Sequence, residues 1–438
     1  MQIMHSINVF GRITWMTKQN YLVKFFAPML VLLIATSFFG VFLVPVTSQT
    51  TTKCTPGRIV SNEVELRNAV NNAVEPTVIA FDKDITLTEQ LVIPVNKDIT
   101  LTSTSAPKCF KLIGGDIGHS TRGPGEYASA VINVEGSGVL RIDGIVVTCG
   151  NYPLSWNKLV RVNVVGTLIL INGEISSNRF GDGVINSGTF EMYSGKISNN
   201  NANAGYDGAV YNSGYGTFSM FGGEISNNTG FGVKNRQEPN SWSLTGESNY
   251  GTFSMSGGLI SNNDGGGVQN SGIFSMTGGE ISNNVAGHLE QTGGGVSNSG
   301  VFSMSGGVIS NNQATYGGGV YNYPEGNFSL SENAIISGNK AEVGGGVYNA
   351  GAFNRHDGVI SGNTATQYNN IYPNGNSLTY FKHYCFTKPN FSNTNHQYWF
   401  TCRTVPVSAF SCCLGYLSGC DRISYAFQKA SKNVNLKQ

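Results

Sequence analysis

Apolar residues in this chain recur in a fixed order. In residues 251–272, GTFSMSGGLISNNDGGGVQNSG, Phe253 and Met255 flank a serine. A spacing of two puts both on one side of a strand. A glycine pair follows, then Ile260, then a second glycine run ahead of Val268. The same order returns in residues 272–300 and 300–326, a period of about 21–28 residues, which lies within the range of solenoid repeats. Three short apolar segments separated by turns are what one coil of a parallel β-helix requires.

Aligned copies give columns. The first is Leu140, Leu168, Phe190, Phe218, Phe253, Phe274, Phe302, Phe328 and Phe353, and two residues on run Ile142, Leu170, Met192, Met220, Met255, Met276, Met304, Leu330 and Arg355. An isoleucine column (Ile175 to Ile360) and a valine column (Val184 to Val347) follow. Coils stacked at the ~4.8 Å spacing of a sheet place like side chains on each other. Arg355, a cation at an inward position, marks the end of the core. Two asparagine columns accompany these. One is Asn178, Asn200, Asn228, Asn263, Asn284, Asn312, Asn339 and Asn363, and the other is Asn186, Asn212, Asn235, Asn270, Asn298, Asn322 and Asn349. Amides repeated at strand spacing can each give to one neighbour and accept from the other, so both columns are expected to be structural ladders.

The flanks complete the plan. Residues 1–24 are basic, and residues 25–46 carry no charge, about the length that spans a bilayer. An uncleaved anchor and a cleaved signal are both open, and either puts the rest outside the cytoplasm. Residues 50–137 are expected to hold a cap and the first coils. Ser61 or Asn62 caps a helix with Leu66, Ala69, Val70 and Ala73 on one stripe, and short strands follow at 77–81, 85–87, 91–93 and 99–101. Residues 111–136 read as a loop. Residues 138–374 form the array, with an insertion at 236–250. Residues 375–438 form a cysteine-containing tail. The expected fold is therefore all-β, a right-handed parallel β-helix solenoid with a helical N-terminal cap, preceded by one transmembrane or signal helix.

The unit GGEISNN followed by GGGVYN resembles the repeats of polymorphic outer-membrane proteins and of adhesin-like β-helix proteins of prokaryotic envelopes. Residues 61–115 resemble the N-terminal cap of pectin-lyase-like folds. The resemblance implies a surface protein for adhesion or surface interaction, with carbohydrate or cell-surface proteins as partners. Some proteins of this fold are polysaccharide lyases or hydrolases, which is the alternative, and a structural spacer is a third.

Composition narrows this in places. Charged residues are 12 % and the net charge is +1, so the basic stripe that tracks nucleic acid is missing. The eight cysteines avoid the well-formed repeats, which begin at Gly188, and this suits disulfides at the ends of an exported chain or unpaired thiols. No cofactor or metal site is expected, because His119, His288, His356, His383 and His396 show no ligand spacing. Asp182 and Asp207 lie near one corner on adjacent coils, and an inverting glycosidase needs carboxylates ~6.5–9.5 Å apart. Both precede glycine, however, where turns favour aspartate. Tyr211, Tyr321 and Tyr348 beside the valine column, and Trp242 in the insertion, are candidate sugar contacts or plain surface packing.

Overall fold

The computed structural model describes residues 57–105, 109–115, 130–150, 158–179, 181–201, 208–239, 248–287, 291–372, 383–387 and 400–404. The uncharged segment 25–46, Asp207 and Trp242 lie outside them, as does most of the tail.

Strands on three faces wind into a parallel β-helix. The third face is the plainest, an 11-stranded sheet running from Leu91–Ile93 through Lys158–Val162 and Val268–Asn270 to Ile371–Tyr372. The first and second faces join into one 21-stranded sheet, because Val139–Cys149 and Thr167–Ser176 run through the corner between them. Register is strict: Phe218 pairs with Phe253, Met220 with Met255, Ile225 with Ile260 and Val233 with Val268.

Like on like fills the core. Six phenylalanine pairs from Phe190 to Phe353 stack with centroids 4.5–4.9 Å apart and interplanar angles of 4–9°. Parallel stacking at the strand spacing is imposed by the backbone, since free aromatic pairs prefer offset or edge-to-face arrangements. The methionine column explains the glycine pair beside it. Gly223, Gly258, Gly279 and Gly307 have φ between +80° and +85°. A Cβ at any of them would meet the methionine Cε of the preceding coil at 2.5–2.6 Å. Only glycine satisfies both demands.

The motif Ser-Asn-Asn divides its labour. Asn199, Asn227, Asn262, Asn283 and Asn311 take left-handed φ of 54–57°, which asparagine tolerates. The next asparagine turns inward and is essentially buried. In the first ladder, Nδ2 donates to Oδ1 of the following coil's asparagine at 2.8–3.1 Å. The backbone N–H of the same residue shares that acceptor at 2.9–3.2 Å. The second ladder repeats the amide contact at 2.7–2.8 Å. All these donors point toward the C-terminal coil.

Helix α1 (Glu63–Asn71) covers the start. Asn62 Oδ1 accepts from Glu65 N at 2.9 Å, and Glu65 Oε2 accepts from Ser61 N at 2.7 Å, a reciprocal cap. Leu66, Ala69, Val70 and Ala73 are buried against the first strands. Arg67 fastens the helix to the first coil through the carbonyls of Glu89 and Gln90. At the other end Arg355 pairs in register with Leu330 and is exposed, its Nε bonded to Gly358 O at 3.1 Å.

Residues 111–136, expected as a loop, instead hold the strands Lys111–Gly114 and Ala130–Val134. Each is short, and the glycine-containing sequence between them carries no copy of the repeat, which hid the apolar residues Leu112, Val131, Ile132 and Val134 that complete a coil. The insertion is an arm in which Gln237–Pro239 pairs antiparallel with Ser248–Tyr250. Cys149 is a thiol whose Sγ donates to Ser177 O at 2.9 Å.

Asn284→Ala should strip the amide acceptor from Asn263 and the donor from Asn312. The Asn263 backbone N–H loses its acceptor outright, while the Asn263 amide keeps Ile225 O and Asn312 Oδ1 keeps the N–H of residue 284. With one buried group orphaned at ~1–3 kcal/mol and two weakened, the loss should be about 3 kcal/mol, read as weakened amide hydrogen-exchange protection across the two adjoining coils. Ser303→Ala on the outer surface should stay within about 0.5 kcal/mol of the wild type.

Candidate binding face

Outward positions on the first face are mostly small, with Ser219, Ser254, Ser275, Ser303 and Ser329 in one row. On the second face Lys196 meets Glu224 at 3.2 Å with both side chains more than a third exposed, a pairing worth little. The third face differs. Its outward column reads Arg161, Ile185, Tyr211, Lys234, Gln269, Ser297, Tyr321, Tyr348 and Tyr372. Side chains of this size do not follow from stacking, and they gather at two places.

The first is a cavity of about 570 Å³ over the third to fifth coils, a size that suits a small ligand. Arg161, Ile185 and Tyr211 lie side by side along its floor, with Asn163, Ser187 and Ser213 beside them and Glu238 of the arm as a wall. The hydroxyls of Ser213 and Ser187 are 3.1 Å apart. Tyr211 donates to Glu238 Oε1 at 3.4 Å. Burial, then the Glu238 carboxylate, push the Tyr211 phenol above its ordinary range. Asp182 sits at the far edge. It is 1 % exposed, with Oδ2 2.7 Å from Lys158 Nζ and Oδ1 accepting from Gly208 N at 3.0 Å. Both oxygens are therefore engaged in holding the corner. Asp182 and Tyr211 thus share one cavity, whereas Asp207 and Trp242 lie outside the described residues.

The second place is a tyrosine cluster over the ninth to eleventh coils. Tyr321, Tyr348 and Tyr372 stack along the axis with centroids 4.8 and 4.3 Å apart. Each face within the stack is turned to another ring, so edges and hydroxyls point outward. Tyr316, Tyr323 and Tyr368 stand edge-on to them at 70–82°. Burial, followed by the neighbouring tyrosines, pushes the Tyr348 phenol up to about 12. Tyr368 has φ 59° at the place where the two preceding coils carry Gly317 and Gly344, with φ 64° and 69°. A left-handed bulky residue costs about 1–2 kcal/mol.

Arg161, Ile185, Tyr215, Tyr316, Tyr368 and Tyr372 were not singled out from the sequence. For Ile185 the signal was present in the residue between the valine and the asparagine of the copy; Arg161 and Tyr372 hold the same place in the row only by register, and Tyr215, Tyr316 and Tyr368 lie off it.

Asp182→Ala should leave Lys158, only 14 % exposed, without its carboxylate. Loss of that pairing and of the Gly208 N–H acceptor should cost about 1–3 kcal/mol, seen as weakened exchange protection in the strands 184–186 and 208–212. For Tyr348 the folded protein holds the proton more tightly than the unfolded chain. Its contribution should be complete below pH about 10 and fall away as pH rises through about 12. Thermal melts along that range should show a steeper alkaline decline for the wild type than for Tyr348→Phe.

No protein-family model, curated protein or solved structure matches the chain.

Proposed function

We propose that this chain is a non-catalytic, exported β-helix protein that works by surface interaction, with carbohydrate as its ligand class. The observation that carries this is the third-face cavity. A saccharide presents apolar C–H surfaces ringed by hydroxyls. The cavity offers Ile185 and the Tyr211 ring beside the hydroxyls of Ser187 and Ser213, the Asn163 amide and the Arg161 fork. Few convergent polar groups on an apolar floor are the usual make-up of a small-ligand site.

The adhesin-like and pectin-lyase-like resemblance of the repeats supports the surface role. The uncharged segment 25–46 supports export, either as an anchor or as a signal. A glycoside hydrolase or lyase is less favoured, because Asp182 is occupied by Lys158 and the Gly208 N–H. A general acid must instead be free to meet the leaving oxygen.

A glycan array probed with the intact chain, followed by calorimetry on any hit, tests the proposal. Binding without turnover is expected, weakened about tenfold or more by Arg161→Ala or Tyr211→Ala, in line with the loss of one central contact. Release of new reducing or unsaturated ends by the wild-type chain, abolished in Asp182→Asn with the thermal midpoint kept, would establish the enzyme reading instead. No binding to any glycan would leave a spacer.

A further inference from the structure

Asparagine carries a latent reaction with the residue after it. The following backbone nitrogen can attack the side-chain carbonyl carbon if it is released from other bonds and lies close enough. A solenoid built on asparagine ladders has to withhold that nitrogen, and the winding does so here. In the first ladder, the N–H after each asparagine from Asn200 to Asn363 donates to the carbonyl of the preceding rung at 2.6–3.1 Å. In the second, the N–H after each asparagine from Asn212 to Asn349 does the same at 2.8–2.9 Å. The left-handed asparagines are protected in another way. The N–H after Asn199, Asn227, Asn262, Asn283 and Asn311 belongs to the next rung and donates to Oδ1 of the following coil.

Asn172 departs from this rule. It lies in Thr167–Ser176, where that strand runs through the corner between the first and second faces. Register with the preceding coil slips on both sides of it. Pairing with the following coil stops at Leu170 and resumes at Glu174. The next residue is Gly173, whose N–H donates to Oδ1 of Asn172 itself at 3.0 Å. The nucleophile thus stands beside the carbonyl it would attack. Asn172 is exposed, so water and solvent bases reach it.

The fold also fixes the residue that makes the reaction easy. Gly173 has φ 125°, and a Cβ there would meet Ile145 O at 2.5 Å. Glycine is therefore required at this corner, and it puts no side chain in the way of a closing ring. Every ladder asparagine, by contrast, is followed by a residue with a side chain.

We propose that Asn172 is a site of spontaneous deamidation, while the asparagine ladders are shielded from it by their own stacking. The Gly173 nitrogen, losing its proton to solvent base, bonds to Cγ of Asn172. The Cγ–Nδ2 bond breaks and ammonia leaves, giving a cyclic imide. Water then opens the ring at either carbonyl, to aspartate or isoaspartate. One water is consumed and one ammonia released, with no change of oxidation state. The product sets a new carboxylate across from Asp143, its register partner on the preceding coil, and takes the formal net charge from +1 to zero. Burial already pushes the Asp143 carboxyl above its ordinary range. The third-face cavity keeps all its residues, so the saccharide reading neither supports this proposal nor falls with it.

The test follows the intact chain at mildly alkaline pH by peptide mapping with mass spectrometry, with isoaspartyl methyltransferase as a second probe of the product. The same chain unfolded in urea supplies the reference rates. Folded Asn172 should convert within about tenfold of its unfolded rate, because it needs only local motion at a strand corner. Asn263 and Asn284 should be slowed about a thousandfold or more against their own unfolded rates, since their neighbours' nitrogens are released only when the stack opens. On ion exchange the aged chain should give an acidic species that migrates with Asn172→Asp. Asn172→Gln, which must close a larger ring, should lose that species. The other Asn-Gly pair, Asn374-Gly375, is read in a separate peptide. Absence of product at Asn172 in the folded chain, slowing of Asn172 by as much as the rungs, or conversion of the rungs as fast in the folded chain as in urea would each overturn the proposal.

Discussion

One distance governs this molecule: the ~4.8 Å step between hydrogen-bonded strands. Because each coil lies in strict register on the last, every side chain must be compatible with a copy of itself one step away. Phenylalanines meet that demand by stacking flat. Methionines meet it by reaching toward the next coil, where a glycine leaves room for the Cε. Asparagines meet it as the amide that is donor and acceptor at once. A buried carboxylate or lysine column would instead place like charges on each other, which explains why the inward polar columns are asparagine and serine.

The same rule decided what was legible from sequence. Where a residue serves the stack, it repeats, and repetition is visible without a structure. The phenylalanine, methionine, isoleucine and valine columns were of this kind, and so were the two asparagine columns. Helix α1 was legible for a different reason, since Asn62 and Glu65 satisfy local N–H groups and need no partner elsewhere. The coil containing Lys111–Gly114 and Ala130–Val134 was missed because the long stretch of sequence between the two strands interrupts the period. The left-handed residue of Ser-Asn-Asn was also indistinct, since two adjacent asparagines carry separate duties that only φ values divide.

The candidate sites were hard to read for the complementary reason. Arg161, Ile185 and Tyr211 occupy one column and share no chemistry, so no repeat announces them. Their proximity is a product of winding, since neighbours are 24 and 26 positions apart in the chain. Residues free of the stacking rule are the ones that can differ from coil to coil. On the third face they differ most. Tyr368 goes further and departs from a glycine that the backbone favours.

The uniform direction of the asparagine rungs has a consequence for size. Every coil of the ladders presents the same acceptors upstream and the same donors downstream, so one of these coils removed or duplicated whole leaves both ladders continuous. Length is then an integer quantity. The cavity over the third to fifth coils and the tyrosines over the ninth to eleventh are centred six coils apart, ~29 Å at sheet spacing. Duplication of one middle repeat would lengthen that span by a single ~4.8 Å increment without altering either end. The solenoid is in this sense a graduated ruler, on which recombination between near-identical repeats resets the gap between two sites in whole divisions.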